Sequence, residues 1–324
     1  MTLDSDAMRI SPAEPATTSE TGPTTLQRSP SHNAFMGPNG IRAGWRLLIF
    51  LVLFISIAKS FGFAVAHVPA IRAWHLAQDP NVIAAPTQIF DEGIGVLALL
   101  LAALIMTAIE KRNFADYYLP LNQAFGKRFW QGIPYGFAML SLLLVLIAAF
   151  HGFSLGTMAL SGADAVKYGL LFAIGFFLVG LFEEFSFRGY MQSTLGSGMG
   201  FWPAAIVLSI LFGAIHLQNW HEAPVGAVMA GSFGVVAAFS LKRTGNIWFP
   251  IGMHAAWDWG ETYFYSTPDS GFLAQGHLFN SSFHGSTWLT GGPVGPEGSV
   301  FAFVVLVIGG VGIHFLFPAK QQIS

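Results

Sequence analysis

The sequence contains no cysteine and few charged residues. The absence of cysteine from all 324 residues excludes disulfides, cysteine-ligated zinc, iron–sulfur clusters and thiol catalysis. Only 10% of the residues are charged, whereas a soluble domain carries about 25%. The formal net charge of −2 gives no basic excess for a nucleic acid partner. With 53% hydrophobic residues, the composition indicates an integral membrane protein, in which His, Asp or Glu would have to hold any metal.

Long apolar runs make up most of the chain after a polar start. Residues 1–40 are rich in Ser, Thr, Pro and Ala, which predicts a disordered cytoplasmic tail, and residues 41–324 predict a transmembrane bundle. The length of each run is close to that of a helix that crosses a bilayer, about 20 residues. The runs are continuous rather than alternating, which favours helices over a barrel. The predicted spans are 45–66, 92–109, 132–150, 166–185, 201–218, 224–241, 246–264 and 299–317. The predicted fold class is therefore an all-α, polytopic transmembrane helix bundle of about eight spans.

Most basic residues lie in every second loop between the predicted spans. They are Arg28, Arg42, Arg46, Lys111, Arg112, Lys127, Arg128, Arg188, Lys242, Arg243 and Lys320, whereas the other loops hold little more than Arg72 and Lys167. The positive-inside rule then predicts that both termini are cytoplasmic in a multi-pass cell-membrane protein. The absence of cysteine and the short loops favour a bacterial inner membrane.

Two adjacent carboxylates at the end of the fourth span form the first candidate site. Glu183 and Glu184 directly follow an apolar run, and Arg188 comes four residues after Glu184. A charged residue at mid-membrane costs roughly 2.5–3.5 kcal/mol, so such residues are usually paired and functional. The structural alternative is an ion pair of Glu184 and Arg188 at a helix end. In the predicted topology this cluster lies at the cytoplasmic end of the span.

Two later spans carry further polar residues. His216 ends the apolar run of the fifth span, and His254 and Asp258 share one helical face in the seventh because they are four residues apart. Asp258 either holds a ring N–H of His254 or acts as a ligand or acceptor itself. Each histidine alone is more simply an interhelical polar group. Together, the three motifs suit water activation, with a carboxylate as base and imidazoles that hold a metal or the water.

The order of these motifs resembles a known family. Glu-Glu-x-x-x-Arg, Phe-x-x-x-His and His-x-x-x-Asn/Asp on consecutive helices are similar to the CAAX-protease and bacteriocin-processing family (CPBP or Abi, type II CAAX prenyl endopeptidases) of intramembrane metalloproteases. The similar region is about 166–264. The resemblance implies that Glu183 activates water, that Glu184 pairs with Arg188, and that His216 and His254 are the family histidines. Asp258 stands where the family often has Asn, which suits a metal-binding or histidine-orienting role better than amide donation.

The resemblance also implies a cofactor and partners. Glu183, His216, His254 and Asp258 would hold a divalent metal, zinc first. The partners would be membrane lipid and a membrane-associated or lipidated peptide or protein, with no nucleic acid. A non-catalytic scaffold or immunity factor of the same fold remains an alternative. An ion-coupled transporter is another, although no internal repeat is visible.

The predicted protease makes demands on geometry. His216 lies roughly 20 Å beyond Trp202, whereas Glu183 should be near the cytoplasmic face, so the fourth span must extend further or the fifth must start outside the bilayer. Glu183 and His254 must share a water in a cytoplasm-facing cavity between spans four, five and seven. The long linker 265–298 is expected to be a solvated loop or a cover on the outer face.

Overall fold

The structure is a computed structural model that describes residues 34–37, 40–79, 82–219, 221 and 223–318. Most of the predicted tail over 1–40, and Lys320 among the basic residues, lie outside the described residues.

Helices run through all eight predicted spans, and an all-α polytopic membrane bundle is confirmed. The helices are α1 Ala43–Ala66, α2 Pro69–Leu76, α3 Ala85–Glu110, α4 Lys127–Ala149, α5 Gly162–Glu184, α6 Gln192–Met199, α7 Phe201–His216, α8 Pro224–Thr244, α9 Trp248–Trp259, α10 Thr287–Thr290 and α11 Val300–Leu316. Two π-helical segments, Phe185–Met191 and Gly260–Phe264, extend α5 and α9. Over the described residues, five helices are long and apolar enough to cross a membrane, and α7 and α11 are shorter apolar helices. The number of spans stays a prediction.

The fourth predicted span does not end near residue 185. The π-helical segment joins α5 to α6, which gives one helical stretch over Gly162–Met199. At 1.5 Å per residue, Glu183 lies about 24 Å before its end, and His216 lies about 22 Å beyond the start of α7. The two motifs therefore reach the same depth because the fourth helix extends further, which was one of the two solutions expected from the sequence.

Short strands fasten the linker 265–298 to the rest of the chain. Strand β1 Met36–Gly37 pairs with β2 Gly40–Ile41 near the start of α1. Strand β3 Val82–Ala84 pairs in parallel with β5 Leu273–Gln275, and β4 Phe153–Ser154 pairs antiparallel with β6 Ser282–Phe283. The linker is thus held by backbone hydrogen bonds against the loops before α3 and after α4, so it is not a plain solvated loop.

Small residues place α9 at the centre of the bundle. All residues of α9 from Trp248 to Asp258 are buried. A side chain at Gly132 or Gly136 on α4 would collide with the backbone of α9, and one at Gly180 on α5 would lie 3.0 Å from the carbonyl oxygen of Ile251. Close backbone approach at glycines is typical of membrane helix packing. This packing sets His254 of α9 beside the carboxylates at the end of α5.

The two ends of the bundle differ in charge. One end holds Arg46, which pairs with Glu110 at 2.7 Å, and Arg128, whose guanidinium lies 4.7 Å from the ring centre of Phe317. Arg243 contacts His314 at the same end. The segment from Thr244 to Ala319, which contains the linker at the opposite end, has no Lys or Arg. The described structure therefore has a basic end and an opposite end that is poor in cationic side chains.

Candidate active site

The three sequence motifs meet inside the bundle. Glu183 Oε2 lies 3.5 Å from His254 Nε2, and Asp258 Oδ2 lies 3.6 Å from the same nitrogen. His254 Nδ1 donates to Glu184 Oε1 over 2.9 Å. The requirement that Glu183 and His254 come within reach of a shared water is met.

Behind these groups, a buried chain of charges fixes the histidine. Arg188 Nη1 donates to Glu184 Oε1 over 3.2 Å, the same oxygen that accepts from His254 Nδ1. Glu184, Arg188 and His254 are all buried, and the Arg188 guanidinium lies 4.2 Å from the ring centre of Phe212. The ion pair of the structural alternative is present, but it also orients His254. One acceptor and one donor of the pair are unsatisfied: Glu184 Oε2 and Arg188 Nη2 have no hydrogen-bond partner among the described residues.

Local backbone geometry brings this chain of charges together. The π-helical segment Phe185–Met191 begins directly after Glu184 and contains Arg188. Such wide turns within helices occur often at functional sites because they shift the register of the side chains. Gly234 of α8 leaves room for the guanidinium, since a Cβ there would collide with Arg188 Nη2. The apolar run of the sequence carries no signal for the π-helical turn.

Glu183 and His254 line a cavity of about 150 Å³ together with His216 and Asp258. Its wall also includes residues of the linker and of the loops at that end of the bundle: Ile83, Asn219, Asp269, Ser270, Phe272 and Glu297. The cavity therefore lies at the end opposite the basic loops. The prediction that it shares an end with the cytoplasmic basic residues was wrong. That prediction takes Arg188 as a loop residue, whereas in the structure Arg188 is buried within one long helical stretch.

His216 approaches the cavity from the last residue of α7. Its Nδ1 donates to the carbonyl oxygen of Phe212 over 2.8 Å, and the two rings lie 4.6 Å apart. Because Nδ1 is engaged by this carbonyl oxygen, Nε2 is the ring nitrogen available to the cavity. The structure thus places His216 in the wall of the cavity that Glu183 and His254 also line.

The donor types of Glu183, His216, His254 and Asp258 suit zinc. Their positions fit it less well, because His254 lies between the two carboxylates instead of converging with both on one point. Over the described chain, the only set of three such side chains whose ligand atoms all lie within 4.8 Å of one another is Glu261, Asp269 and Glu297. The zinc site stays a prediction, and it requires the four side chains to move closer together.

Several cavity residues have no counterpart in the motifs. Asn219 follows His216 by three residues and brings an amide to the cavity. Asp269 and Glu297 come from the linker, where no spacing distinguishes them in the sequence. Burial, with the neighbouring charge of Glu297 as the next cause, raises the pKa of Asp269 to about 7. The cavity is thus more acidic than the sequence motifs alone predict.

Fold and site together define a multi-pass membrane protein with a Glu/His/Asp constellation inside its helix bundle. Residues 165–260 match the model of a protein family, type II CAAX prenyl endopeptidase Rce1-like. The match confirms the resemblance seen in the motifs and includes all six predicted site residues, although it spans under a third of the chain. Because this is a protease family, the match supports peptidase activity. No curated protein matches the chain.

Proposed function

We propose that this protein is an intramembrane endopeptidase that hydrolyses peptide bonds of membrane-associated or lipidated substrates through a water activated by Glu183. The observation that carries the proposal is the position of Glu183. Its side chain is 26% exposed and faces the cavity 3.5 Å from His254, whereas its neighbour Glu184 is fully buried. One carboxylate is thus open to water and substrate, and the other is enclosed.

The two glutamates have different tasks. Glu183 accepts a proton from water while the water oxygen attacks the carbonyl carbon of the peptide bond, and the proton passes to the amine nitrogen as the C–N bond breaks. Glu184 is held by Arg188 and accepts from His254 Nδ1, so it keeps the imidazole in one orientation. His254 Nε2 then faces Glu183 and the reacting water.

Two groups near the reacting carbonyl complete the mechanism. Asp258 borders His254 Nε2 on the side away from Glu184 and keeps the ring between two carboxylates. Asn219 brings an amide N–H donor to the same cavity. A preorganised N–H donor stabilises the oxyanion that forms in the transition state. Asn219 supplies the donor that Asp258 cannot supply as a carboxylate.

The residues predicted to bind zinc belong to the same site. Glu183, His216, His254 and Asp258 are the residues that would hold the ion, and a bound zinc would supply a Lewis acid for the water and the carbonyl oxygen.

The position of the cavity bears on the side from which substrate enters. The basic loops predict that their end of the bundle is cytoplasmic. The cavity lies at the other end, so we propose entry from the outer face of the membrane, with the bacterial inner membrane as the expected location. The cavity wall includes Phe176, Phe212, Met229 and Phe233. These side chains suit an apolar or lipidated segment next to the scissile bond.

The test compares peptide termini in the membrane proteome of cells that carry the wild-type protein or Glu183→Gln at equal expression. Termini that disappear in Glu183→Gln support the protease and name its substrates. The matched control is Asp91→Asn, an acid-to-amide change on α3 at a side chain that is 53% exposed and pairs with His75. It should leave the termini unchanged. Identical termini in wild type and Glu183→Gln, with any phenotype retained, would favour the scaffold or immunity factor.

A further inference from the structure

Three carboxylates that do not belong to the proposed catalytic set come together at the active-site cavity, whose wall includes two of them. Glu261 lies in the π-helical segment after α9, Asp269 in the linker, and Glu297 shortly before α11. One oxygen of each lies within 4.8 Å of one oxygen of the others. The three residues are spread over 37 positions of sequence, so it is the fold that gathers them.

The burial of Glu261 distinguishes this group from a cluster of acidic residues on the surface. It is fully buried, and its Oε2 accepts from Trp257 Nε1 over 2.8 Å. Its other oxygen, Oε1, is buried and has no hydrogen-bond partner among the described residues. A buried carboxylate oxygen without a partner is unfavourable, because it has lost its hydrogen bonds to water and has gained none in the protein. This oxygen therefore needs a proton or a cation.

The surroundings supply acceptors and hydroxyls rather than cations. The segment from Thr244 to Ala319, which provides all three carboxylates, contains no Lys or Arg. Thr262 Oγ1 donates to Asp269 Oδ2 over 2.7 Å, and Ser270 Oγ donates to Glu297 Oε2 over 2.9 Å. These bonds orient two of the carboxylates, and neither bond brings a positive charge to the group.

The backbone also conforms to this group. Gly295 has φ +107°, and a side chain there would press against the carbonyl oxygen of Pro268 and lie 3.2 Å from Glu261 Oε1. A glycine is thus required both by the left-handed conformation and by the close approach. It brings the backbone of the Gly-rich run 291–298 against the buried carboxylate.

We infer that Glu261, Asp269 and Glu297 bind a hard divalent cation, calcium before magnesium. The donors are all oxygen, which calcium and magnesium prefer, and calcium accepts irregular sets of ligands at about 2.3–2.6 Å. The cation joins the end of α9 to both ends of the linker that covers the cavity. It is a structural site formed by other side chains than the water-activating glutamate and its histidine.

The experiment uses the full chain in detergent micelles and terbium as a luminescent substitute for calcium. Trp257 donates to both Glu261 and Glu297, so it lies in contact with the site and can sensitise bound terbium. We expect emission on excitation of tryptophan that calcium reverses at about 10⁻⁴ to 10⁻³ M, the range of extracellular calcium modules. In Asp269→Asn/Glu297→Gln the emission should fall at least tenfold.

Controls separate this site from the proposed catalytic one. Glu183→Gln removes the catalytic carboxylate and Asp91→Asn removes an acid elsewhere in the membrane, and both should retain the calcium-sensitive emission. Calcium should also raise the thermal unfolding midpoint of the wild-type protein, because a ligand that binds only the folded state stabilises it. Emission that persists in the double variant, emission lost in Glu183→Gln, or an unfolding midpoint independent of calcium would overturn the inference.

Discussion

Removal of the buried guanidinium of Arg188 should affect stability and activity to different extents. In Arg188→Met the side chain keeps much of its length, but Glu184 loses the guanidinium that donates to its Oε1. Both residues of the pair are almost fully buried, at 0% and 3% side-chain exposure. Breaking a buried pair by removing one partner typically costs about 3–5 kcal/mol, because the remaining charge has no compensation. We expect Arg188→Met to lose stability in this range.

A second change should restore stability without restoring catalysis. In Glu184→Gln/Arg188→Met the buried charge is gone, and the amide oxygen of the glutamine can still accept from His254 Nδ1. Replacing both members of a buried pair is often close to neutral, so most of the lost stability should return. The imidazole, however, loses its negatively charged partner. Loss of such a supporting group typically lowers activity about 10–100-fold.

The assay measures the free energy of unfolding in mixed micelles and the rate at which Glu183-dependent peptide termini form. Arg46→Met is the control, since Arg46 pairs with Glu110 at 2.7 Å at the basic end of the bundle, away from the cavity. It should lose stability and retain activity per folded molecule. A double variant that is as unstable as Arg188→Met, or one that regains wild-type activity, would refute the role given to the Arg188–Glu184–His254 chain.

Three further changes test the site and its orientation. Gly234→Ala places a Cβ against Arg188 Nη2, and this overpacking should cost about 1–3 kcal/mol of stability. Displacement of the guanidinium should also lower activity about tenfold, as the rate of terminus formation will measure. Asn219→Asp should lower turnover about 100-fold with little change in KM if its amide stabilises the oxyanion, as steady-state kinetics on an identified substrate will measure. In this cysteine-free chain, Gln275→Cys, at an exposed position of β5 in the linker, should react with an impermeant maleimide in intact cells. Asn122→Cys at the basic end should react only after lysis.

Each of these changes has a matched control. Gly310→Ala adds a methyl group to a helix glycine with no atom within 4 Å, so it should have wild-type activity. Gln218→Glu makes the same kind of amide-to-acid change one residue before Asn219, at an exposed side chain outside the cavity wall. Equal losses in Gln218→Glu and Asn219→Asp would contradict an oxyanion role. Labelling of Asn122→Cys but not Gln275→Cys in intact cells would reverse the proposed orientation.

Hydropathy predicted the helices well because a bilayer selects continuous apolar runs. It failed at the end of the fourth span, where Gln192–Met199 is polar and glycine-rich yet helical. Tertiary contacts hold this segment: Gln192 Nε2 donates to the carbonyl oxygen of Phe201, and Ser193 Oγ donates to that of Asp116. These bonds join residues that no local pattern of the sequence relates.

The same limit explains what the motifs missed at the site. Glu183, His216 and His254 could be selected because each is a polar residue within an apolar run, and such residues are costly unless they function. Glu261, Asp269 and Glu297 lie in or beside a linker, where acidic residues carry no such cost in the sequence. Their burial becomes visible only when β5 and β6 pair with the loops and draw the linker over the end of the bundle.

The end of the bundle assigned to the cavity depends on where the fourth helix stops, because the predicted span ends near residue 185 and the helix continues beyond it. When Arg188 is taken as a loop residue, it marks the cytoplasmic face, and the catalytic glutamates follow it there. In the structure the helix continues to Met199, so Arg188 instead neutralises Glu184 inside the bundle. One residue thus changes from a topology marker to a member of the site. The positive-inside rule then rests on the basic side chains at the end away from the cavity, such as Arg46, Arg128 and Arg243. It directs the proposed substrate to the outer face.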